Sequence, residues 1–196
     1  MAQTNTQGGS KIRGQVIPLA EFGAEFDTFK REAFRLEGLQ VFDVPEEKES
    51  FARFQLDRKA QPPDGLNEEW HQIIRKAAQR GAIMKRLRIA ILPLADYLLF
   101  EIAWGYSRSV EEGEAISILE VGCYADVPVQ NDFLKDFWLF DDSRGYVVDY
   151  DLRGRFLGVW KADTELVALL RDTKETLWAK AVPVEKSHYA TTWGSA

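Results

Sequence analysis

Sulfur and imidazole side chains are scarce in this sequence. Its 196 residues include one cysteine, Cys123, and two histidines, His71 and His188, which stand far apart. One cysteine excludes an intrachain disulfide, and the histidines form no H-E-x-x-H motif, so neither a thiolate cluster nor a zinc site is expected. We expect Cys123 to be a small buried side chain. The sequence therefore predicts no resident metal and no cofactor.

Long apolar runs and familiar catalytic motifs are also missing. No stretch approaches the ~20 apolar residues of a membrane-spanning helix, and the first residues lack the apolar core of a secretory signal. A cytoplasmic protein without a membrane partner is predicted. Neither G-x-S-x-G, G-x-G-x-x-G nor G-x-x-x-x-G-K-[ST] occurs, which favours a function other than catalysis.

Charge is of mixed sign, with an excess of acid. The net charge of −6 disfavours a surface that coats nucleic acid, so direct nucleic-acid binding is not expected. Within one stretch, however, basic residues stand without acids, and Arg86 and Arg88 share one face of a predicted strand. They can bind a phosphate, a carboxylate or an acidic partner; alternatively, the basic residues pair with acids elsewhere. The stretch contains Arg75, Lys76, Arg80, Lys85, Arg86 and Arg88.

The N-terminal third has helical periodicity. Apolar residues recur at three- and four-residue steps from Phe22 to Leu36, which predicts a helix that ends at Gly38. Further helices are predicted to start near Asp43 and at Asn67, an expected N-cap.

The rest of the chain mixes strands and helices. Residues 86–91 alternate and predict a strand, residues 94–106 predict a buried helix (a strand is the alternative), and residues 115–121 predict a second strand. Three aromatic runs separated by turns predict an antiparallel meander, and a last helix starts near Asp163. The fold class is α+β: a mixed, largely antiparallel sheet flanked by helices, with a helical N-terminal third and a closing C-terminal helix. We expect a disordered tail over 1–15, one globular domain over 16–186 and a loose tail over 187–196.

Carboxylates in two places are candidates for chemistry. Asp141 and Asp142 end a predicted strand, where they can hold Mg²⁺ or simply cap a turn. Asp96 and Glu101 lie in an apolar segment, where a carboxylate must be paired or have a raised pKa. Arg86 or Arg88 is the expected partner, either in a structural ion pair or in an open pocket.

These residues together resemble an uncharacterised bacterial family, a domain of unknown function. The resemblance implies a small protein often encoded beside helix-turn-helix regulators, with no established activity. Phe42 stands where tyrosine is usual, and Ala95 where a hydroxyl residue is common. The matching strings are 35–37 (RLE), 42–47 (FDVPEE), 86–88 (RLR), 93–97 (PLADY), 100–101 (FE), Trp104, 137–142 (FWLFDD), 150–151 (YD) and 154–158 (GRFLG).

A more distant fold-level likeness connects the chain to phospholipase-D-like domains that serve as sensors in bacterial regulators. The H-x-K-x-x-x-x-D signature of that superfamily is absent, because Gln72-Ile73 follow His71 and Tyr189-Ala190 follow His188. Catalysis by that route is therefore not expected.

Three functions follow as hypotheses. The first is a non-enzymatic regulatory or partner-binding protein of a helix-turn-helix or toxin–antitoxin-type locus, with a protein partner such as that regulator. The second is a Mg²⁺-dependent enzyme acting on a phosphate-containing substrate, with Asp141 and Asp142 as metal ligands. The third is a small-ligand sensor, which an enclosed cavity exposing Glu101 or Arg88 would favour; Tyr97, Phe100, Trp104 and Trp138 would line it. The predicted binding residues are Arg86, Arg88, Glu101, Trp104, Asp141, Asp142 and Tyr97.

Overall fold

Helices and strands are interspersed along the described part of the chain, beginning with a strand at Gly14. The computed structural model describes residues 14–127 and 136–192, and no helix in these ranges is long and apolar enough to cross a membrane. The elements are β1 (Gly14–Ile17), α1 (Leu19–Thr28), β2 (Glu32–Glu37), α2 (Lys48–Leu56), α3 (Glu68–Gln79), β3 (Ile83–Ile91), α4 (Asp96–Phe100), a π-helical segment (Glu101–Tyr106), α5 (Ser107–Glu111), β4 (Ala115–Val121), β5 (Asp136–Phe140), β6 (Arg144–Tyr150), β7 (Phe156–Ala162), α6 (Thr164–Trp178) and β8 (Val182–Pro183).

The strands form one eight-stranded sheet in the order β1-β7-β6-β5-β2-β3-β4-β8. Only β2, β3 and β4 run parallel to one another, and every other neighbouring pair is antiparallel. The predicted mixed, largely antiparallel α+β sheet is therefore confirmed. The predicted meander is confirmed as β5–β6–β7, and the strand predicted over 115–121 is β4.

The predicted helical N-terminal third is wrong. Helix α1 ends at Thr28, and β2 follows at Glu32 and lies between β5 and β3 in the sheet. The residues that suggested one continuous helix face different ways, because Ala33 packs on one side of the sheet and Leu36 on the other. A strand covered on both faces carries apolar residues at spacings that also fit a helix, so periodicity alone misassigns it.

The two faces of the sheet differ in character. Helix α6 covers one face through an apolar cluster that includes Phe34, Leu87 and Leu170. Helices α1 and α3, together with the helical run from α4 to α5, cover the opposite face, and we call this side the helix-covered face. Its apolar residues surround charged side chains, of which Glu37, Arg86, Arg88 and Asp136 are buried and Arg35 is half-buried.

The chain ends differ in part from the predicted tails. Residues 1–13 and 193–196 lie outside the described residues, whereas Gly14 and Gln15 pair with β7 as part of β1. Residues His188–Thr192 form a 3-10 helix, and Tyr189 is buried against the helix-covered face. Cys123, expected to be buried, is exposed beyond the end of β4.

Candidate functional site

A cavity of about 540 Å³ separates the helix-covered face of the sheet from the elements above it. Sheet residues form its floor, the helical run from α4 to α5 forms one wall, and the segment before α2 forms the rim. Aromatic and ionisable side chains dominate the lining. The lining residues are Leu19, Arg35, Glu37, Phe42, Asp43, Val44, Pro45, Glu46, Glu47, Asn67, Trp70, Arg86, Tyr97, Phe100, Glu101, Gly105, Tyr106, Ser109, Tyr150, Gly154 and Phe156.

Strand alternation places the charged floor of this cavity. In β2 the polar residues Arg35 and Glu37 alternate with Phe34 and Leu36, so both polar side chains point to the helix-covered face. Strand β3 alternates in the same way, and the parallel register sets Arg35 beside Arg86 and Glu37 beside Arg88. Four charged residues are thus brought together on adjacent strands.

Glu37 is the centre of this charged group. Its carboxylate is 1% exposed and lies 2.8 Å from Arg35 Nη1, 3.1 Å from Arg86 Nη1 and 3.7 Å from Arg88 Nη1. Burial alone would raise the pKa of Glu37, but the guanidinium groups of Arg35, Arg86 and Arg88 lower this pKa to about 2. Glu37 is therefore ionised at neutral pH.

Arg86 connects Glu37 to a second buried carboxylate. Its Nε donates to Glu114 Oε1 at 3.0 Å, and Trp70 Nε1 donates to the other oxygen of Glu114 at 3.2 Å. The guanidinium of Arg86 also lies 5.5 Å from the ring centroids of Trp70 and Tyr106. Arg86 is consequently held in place by charge and by aromatic contacts.

Glu101, from the π-helical segment, is less well compensated. Its Oε2 lies 3.0 Å from Arg88 Nη2, but the orientation gives no hydrogen bond, and this oxygen has no other hydrogen-bond partner among the described residues. Arg88 is fully buried and lies 5.1 Å from the ring centroid of Phe42. Its guanidinium also interacts with Glu37, so Glu101 is not its only carboxylate partner. Burial raises the pKa of Glu101, Arg88 lowers it, and Glu37 raises it further, to about 8.

Asp136 is, after Glu101, a second buried carboxyl group whose pKa is raised. Its Oδ2 accepts the backbone N–H groups of Gly38 and Leu39 at 3.3 Å, while Oδ1 has no hydrogen-bond partner within the described part of the chain. Burial raises the pKa of Asp136 to about 7 against the opposing charge of Arg35. Asp136 and Glu101 therefore both titrate near neutrality.

The rim of the cavity is acidic and aromatic. Tyr97 donates its hydroxyl hydrogen to Glu47 Oε2, and Asp43 and Glu46 complete the acidic side of the rim. Burial raises the pKa of Tyr97, and the neighbouring carboxylates of Glu101 and Glu47 raise it further, so its hydroxyl stays protonated. The rim can therefore attract positive charge.

The structure brings together three of the seven predicted site residues in this lining: Arg86, Glu101 and Tyr97. Arg88 is buried beside Glu101 rather than exposed to the cavity. Trp104 packs against Phe54 and Phe100 and borders a separate hollow of about 280 Å³, next to a buried His71. Trp138, predicted to line a ligand pocket, belongs to an apolar cluster instead.

Asp141 and Asp142 lie at the other end of β2. Both have left-handed backbone conformations, with φ of 52° and 59°. The Asp141 carboxylate accepts the backbone N–H groups of Lys30, Arg31 and Glu32 at 2.7–3.2 Å and also contacts Arg144. Asp142 pairs with Lys174. Their oxygens thus act as structural acceptors that tie the β5–β6 turn to the start of β2 and to α6.

Most of the basic stretch is used within the fold. Arg75 pairs with Glu68 and Glu112, and Lys85 pairs with Glu32. Arg80 donates to the carbonyl oxygens of Phe26 and Phe29. These side chains therefore pair with partners inside the fold, which was the alternative to a basic binding patch.

The sequence analysis did not identify Arg35, Glu37, Glu114 or Asp136. A usable signal was present for two of them, because polar and apolar residues alternate from Phe34 to Glu37. Because the segment was predicted to be helical, this alternation was not interpreted as a strand. Nothing in the sequence near Glu114 or Asp136 indicates that either carboxylate is buried close to the charged residues of the cavity floor.

The fold and site define an α+β protein with a mixed eight-stranded sheet and a partly enclosed ionic cavity. The chain belongs to the DUF6879 family, a domain of unknown function, whose family model matches residues 20–189. The predicted resemblance to an uncharacterised family is therefore confirmed as membership of a domain family of unknown function. No curated protein matches the chain.

Solved structures similar to this chain include TrmBL2, described as an archaeal chromatin protein with a novel mode of DNA binding. The two are 17% identical, with a TM-score of 0.46, over 88% of this chain and 53% of that one. This chain therefore spans about half the length of TrmBL2, and a likeness this weak carries no argument about what the chain binds.

The prediction about partners is nevertheless corrected. It named a protein partner and disfavoured direct binding of nucleic acid on the basis of net charge. The neighbour named above is itself described as binding DNA, which is the opposite of the predicted kind of partner. Net charge describes the surface as a whole and does not exclude a local binding face. The prediction is not carried further.

Proposed function

We propose that this domain is a small-molecule sensor that binds an organic ligand in the cavity between the sheet and the α4–α5 run. The observation that carries the proposal is the cavity itself. Its volume of about 540 Å³ falls within the range of roughly 300–1,000 Å³ typical of ligand pockets, which combine apolar walls with a few convergent polar groups. Glu101 lines it, as the sensor hypothesis requires.

The buried charges support a site in preference to an ordinary core. Burying charged groups is costly, and a well-packed apolar core is often at least as stable as a buried ion network. Here Glu37, Arg35 and Arg86 all line the cavity although Glu37 and Arg86 are almost completely buried. Such a group offers a ligand fixed charges and hydrogen-bonding atoms in a setting of low dielectric constant.

The π-helical segment supports the same interpretation. Glu101, Gly105 and Tyr106 all belong to it and all line the cavity. Single π-helical turns within α-helices are rare and occur frequently at functional sites. The altered helical geometry changes which side chains of the α4–α5 run point toward the sheet.

Other hypotheses stay predictions. A role in regulation, a neighbouring helix-turn-helix regulator and a phospholipase-D-like fold are compatible with a sensor domain, but they rest on the sequence resemblance alone. The Mg²⁺-dependent enzyme gains no support from Asp141 and Asp142, whose carboxylates accept bonds from the backbone, Arg144 and Lys174.

Filling the cavity tests the proposal. A Cβ added to Gly105 would meet only Asn67 Nδ2, at 3.9 Å, so the side chain of a Gly105→Leu variant can extend into the open space. Leucine is also favoured over glycine in a helix by up to about 1 kcal/mol. We expect a melting temperature equal to or above that of the parent, and loss of ligand binding.

The experiment is a ligand-observed NMR screen of small organic molecules against the full chain, repeated with Gly105→Leu. Gly23→Leu is the matched control, because Gly23 is an exposed glycine of α1 with nothing near its Cβ position. Ligands whose signals vanish with Gly105→Leu but persist with Gly23→Leu support the proposal. A screen that finds no such ligand contradicts it.

A further inference from the structure

We infer that the ligand of this cavity is an organic cation, an amine whose ammonium group lies between Glu101 and Glu47. This inference rests on the proposed function and adds the chemical class of the ligand. It is argued from three properties of the lining: its charge balance, the unmet bonding capacity of two carboxylates and the aromatic rings around them.

The charge balance of the lining is negative. Five carboxylate side chains line the cavity (Glu37, Asp43, Glu46, Glu47 and Glu101), against the two guanidinium groups of Arg35 and Arg86. Both guanidinium groups already bind carboxylates, since Arg35 contacts Glu37 and Arg86 contacts Glu37 and Glu114. Lys48 lies 2.9 Å from Asp43 and Arg88 lies 3.0 Å from Glu101, so these two carboxyl groups are partly compensated as well. A ligand that enters between these groups still meets more carboxyl groups than guanidinium groups in the lining.

Glu101 and Glu47 have bonding capacity to spare. Glu101 lines the cavity, and its buried Oε2, 3.0 Å from Arg88 Nη2, has no hydrogen-bond partner in the described ranges. Glu47 accepts a hydrogen bond from Tyr97, and a carboxylate has room for about four. An ammonium group brings three donors and one positive charge, which the two carboxyl groups lining this cavity lack.

The pKa of Glu101 agrees with this assignment. Burial raises this pKa to about 8, and the attraction of Arg88 is opposed by the negative charges of Glu37 and Glu47. An additional cation beside Glu101 would favour its ionised form. Binding of an amine near neutral pH should therefore release a proton from the protein.

Aromatic rings enclose the same part of the cavity. Tyr97 and Phe100 both line it, and their ring centroids lie 5.9 Å apart. Aromatic faces attract cations that lie within about 6 Å of the ring centroid. The rings can therefore hold an ammonium group or pack against the apolar part of the same ligand.

An anionic ligand fits the lining less well. To bind Arg35 or Arg86, an anion would compete with Glu37 and Glu114, which are buried and already within 2.8–3.1 Å of the two guanidinium groups. It would also approach the carboxylates of the rim, and this like-charge contact is unfavourable.

The test compares three indole probes of similar shape and different charge: tryptamine, tryptophol and indole-3-propionate. Isothermal titration calorimetry on the full chain measures their affinities. We expect tryptamine to bind at least tenfold more tightly than neutral tryptophol, the equivalent of about 1.4 kcal/mol, and indole-3-propionate to bind most weakly. Repeating the tryptamine titration in two buffers of different ionisation enthalpy should show proton release.

Charge-neutralising variants assign the contact. Glu47 lies at the partly exposed rim, so Glu47→Gln should fold normally while weakening tryptamine about tenfold and leaving tryptophol unchanged. Glu49→Gln is the matched control, because Glu49 is an exposed residue of α2 that does not line the cavity. Glu101→Gln should weaken tryptamine in the same way and abolish the proton release.

The outcomes separate this inference from the proposed function. If tryptophol or indole-3-propionate binds as tightly as tryptamine and Gly105→Leu abolishes that binding, the cavity is a ligand site but the cation assignment is wrong. If tryptamine does not bind at millimolar concentration while the broader screen finds other ligands of the cavity, the cation assignment is again wrong. If neither the screen nor the probes find a ligand that depends on the cavity, both proposals fail.

Discussion

At the scale of single residues, Glu37 organises the site. Three buried or half-buried arginines point toward it from two adjacent strands. The repulsion between these close positive charges is offset by the negative charge of Glu37, which lies between them. Opposite charge within about 4–6 Å stabilises the ionised form of such a group, and its removal leaves the arginines to repel one another. Glu37 is therefore needed for the fold as well as for the site.

Replacing Glu37 tests this role. Glu37→Gln keeps the shape of the side chain but removes the charge that compensates Arg35, Arg86 and Arg88. Breaking a buried ion pair by removing one partner costs about 3–5 kcal/mol, so we expect the free energy of unfolding to fall by about 3 kcal/mol or more. Urea denaturation followed by circular dichroism measures it. Glu49→Gln, on the exposed face of α2, should stay within about 0.5 kcal/mol of the parent.

At the scale of elements, the β6–β7 turn supports one side of the cavity. Gly154 in this turn accepts the backbone N–H of Asp43 at 3.0 Å, which connects the turn to the rim segment. Its φ is 78°, and a Cβ at this position would lie 2.4 Å from the carbonyl oxygen of Val41. Only glycine allows the two backbones to approach this closely.

A pair of glycine substitutions separates the close approach from backbone conformation. Gly154→Ala introduces both a left-handed alanine and a collision with rigid backbone. Gly65→Ala introduces only the left-handed alanine, because Gly65 has a φ of 76° and nothing near its Cβ position. A left-handed conformation costs a non-glycine residue roughly 1–2 kcal/mol.

We expect Gly65→Ala to lower the free energy of unfolding by about 1–2 kcal/mol, measured by thermal denaturation, and Gly154→Ala to lower it clearly more. We also expect Gly154→Ala to weaken ligands of the cavity, because the rim segment must shift. Equal losses in the two variants would contradict the contact between the turn and the rim.

At the scale of the whole molecule, buried carboxyl groups couple stability to pH in opposite directions. The pKa of Glu37 is lowered to about 2 from 4.5, so its contribution is present above pH 4.5 and is lost as the pH falls toward 2. The pKa of Glu101 is raised to about 8 from the same ordinary value. The folded state therefore holds a proton on Glu101 that the unfolded state has released.

The stability contributed by protonated Glu101 is accordingly complete below pH 4.5 and declines as the pH rises toward about 8. Asp136, whose pKa is raised to about 7, adds to the same decline. We expect the free energy of unfolding to decrease over this interval and the decrease to become shallower in Glu101→Gln. Urea unfolding at a series of pH values measures it; an unchanged slope in Glu101→Gln would contradict the burial of this group.

Local patterns predicted many of the elements but few of the contacts. Alternation in residues 86–91 indicated a strand, and the turn residues after Phe140 and Tyr150 indicated the meander, because these signals depend on neighbours in sequence. The π-helical segment gave no separate signal. Residues 32–37 were misassigned because a strand buried on both faces and a helix share similar apolar spacings.

The sequence by itself determined the α+β class, the positions of β3 and β4, and the placement of Arg86 and Arg88 on one strand face. Only the tertiary structure decided that Arg35 and Glu37 lie beside them, because that depends on the parallel register of β2 and β3, two strands separated by 45 residues. It also decided that Glu101 lines the cavity and that Glu114 binds the cavity residue Arg86, while Asp141 and Asp142 lie elsewhere. Strand pairing and helix packing join groups that are distant in sequence, and no local pattern records those distances.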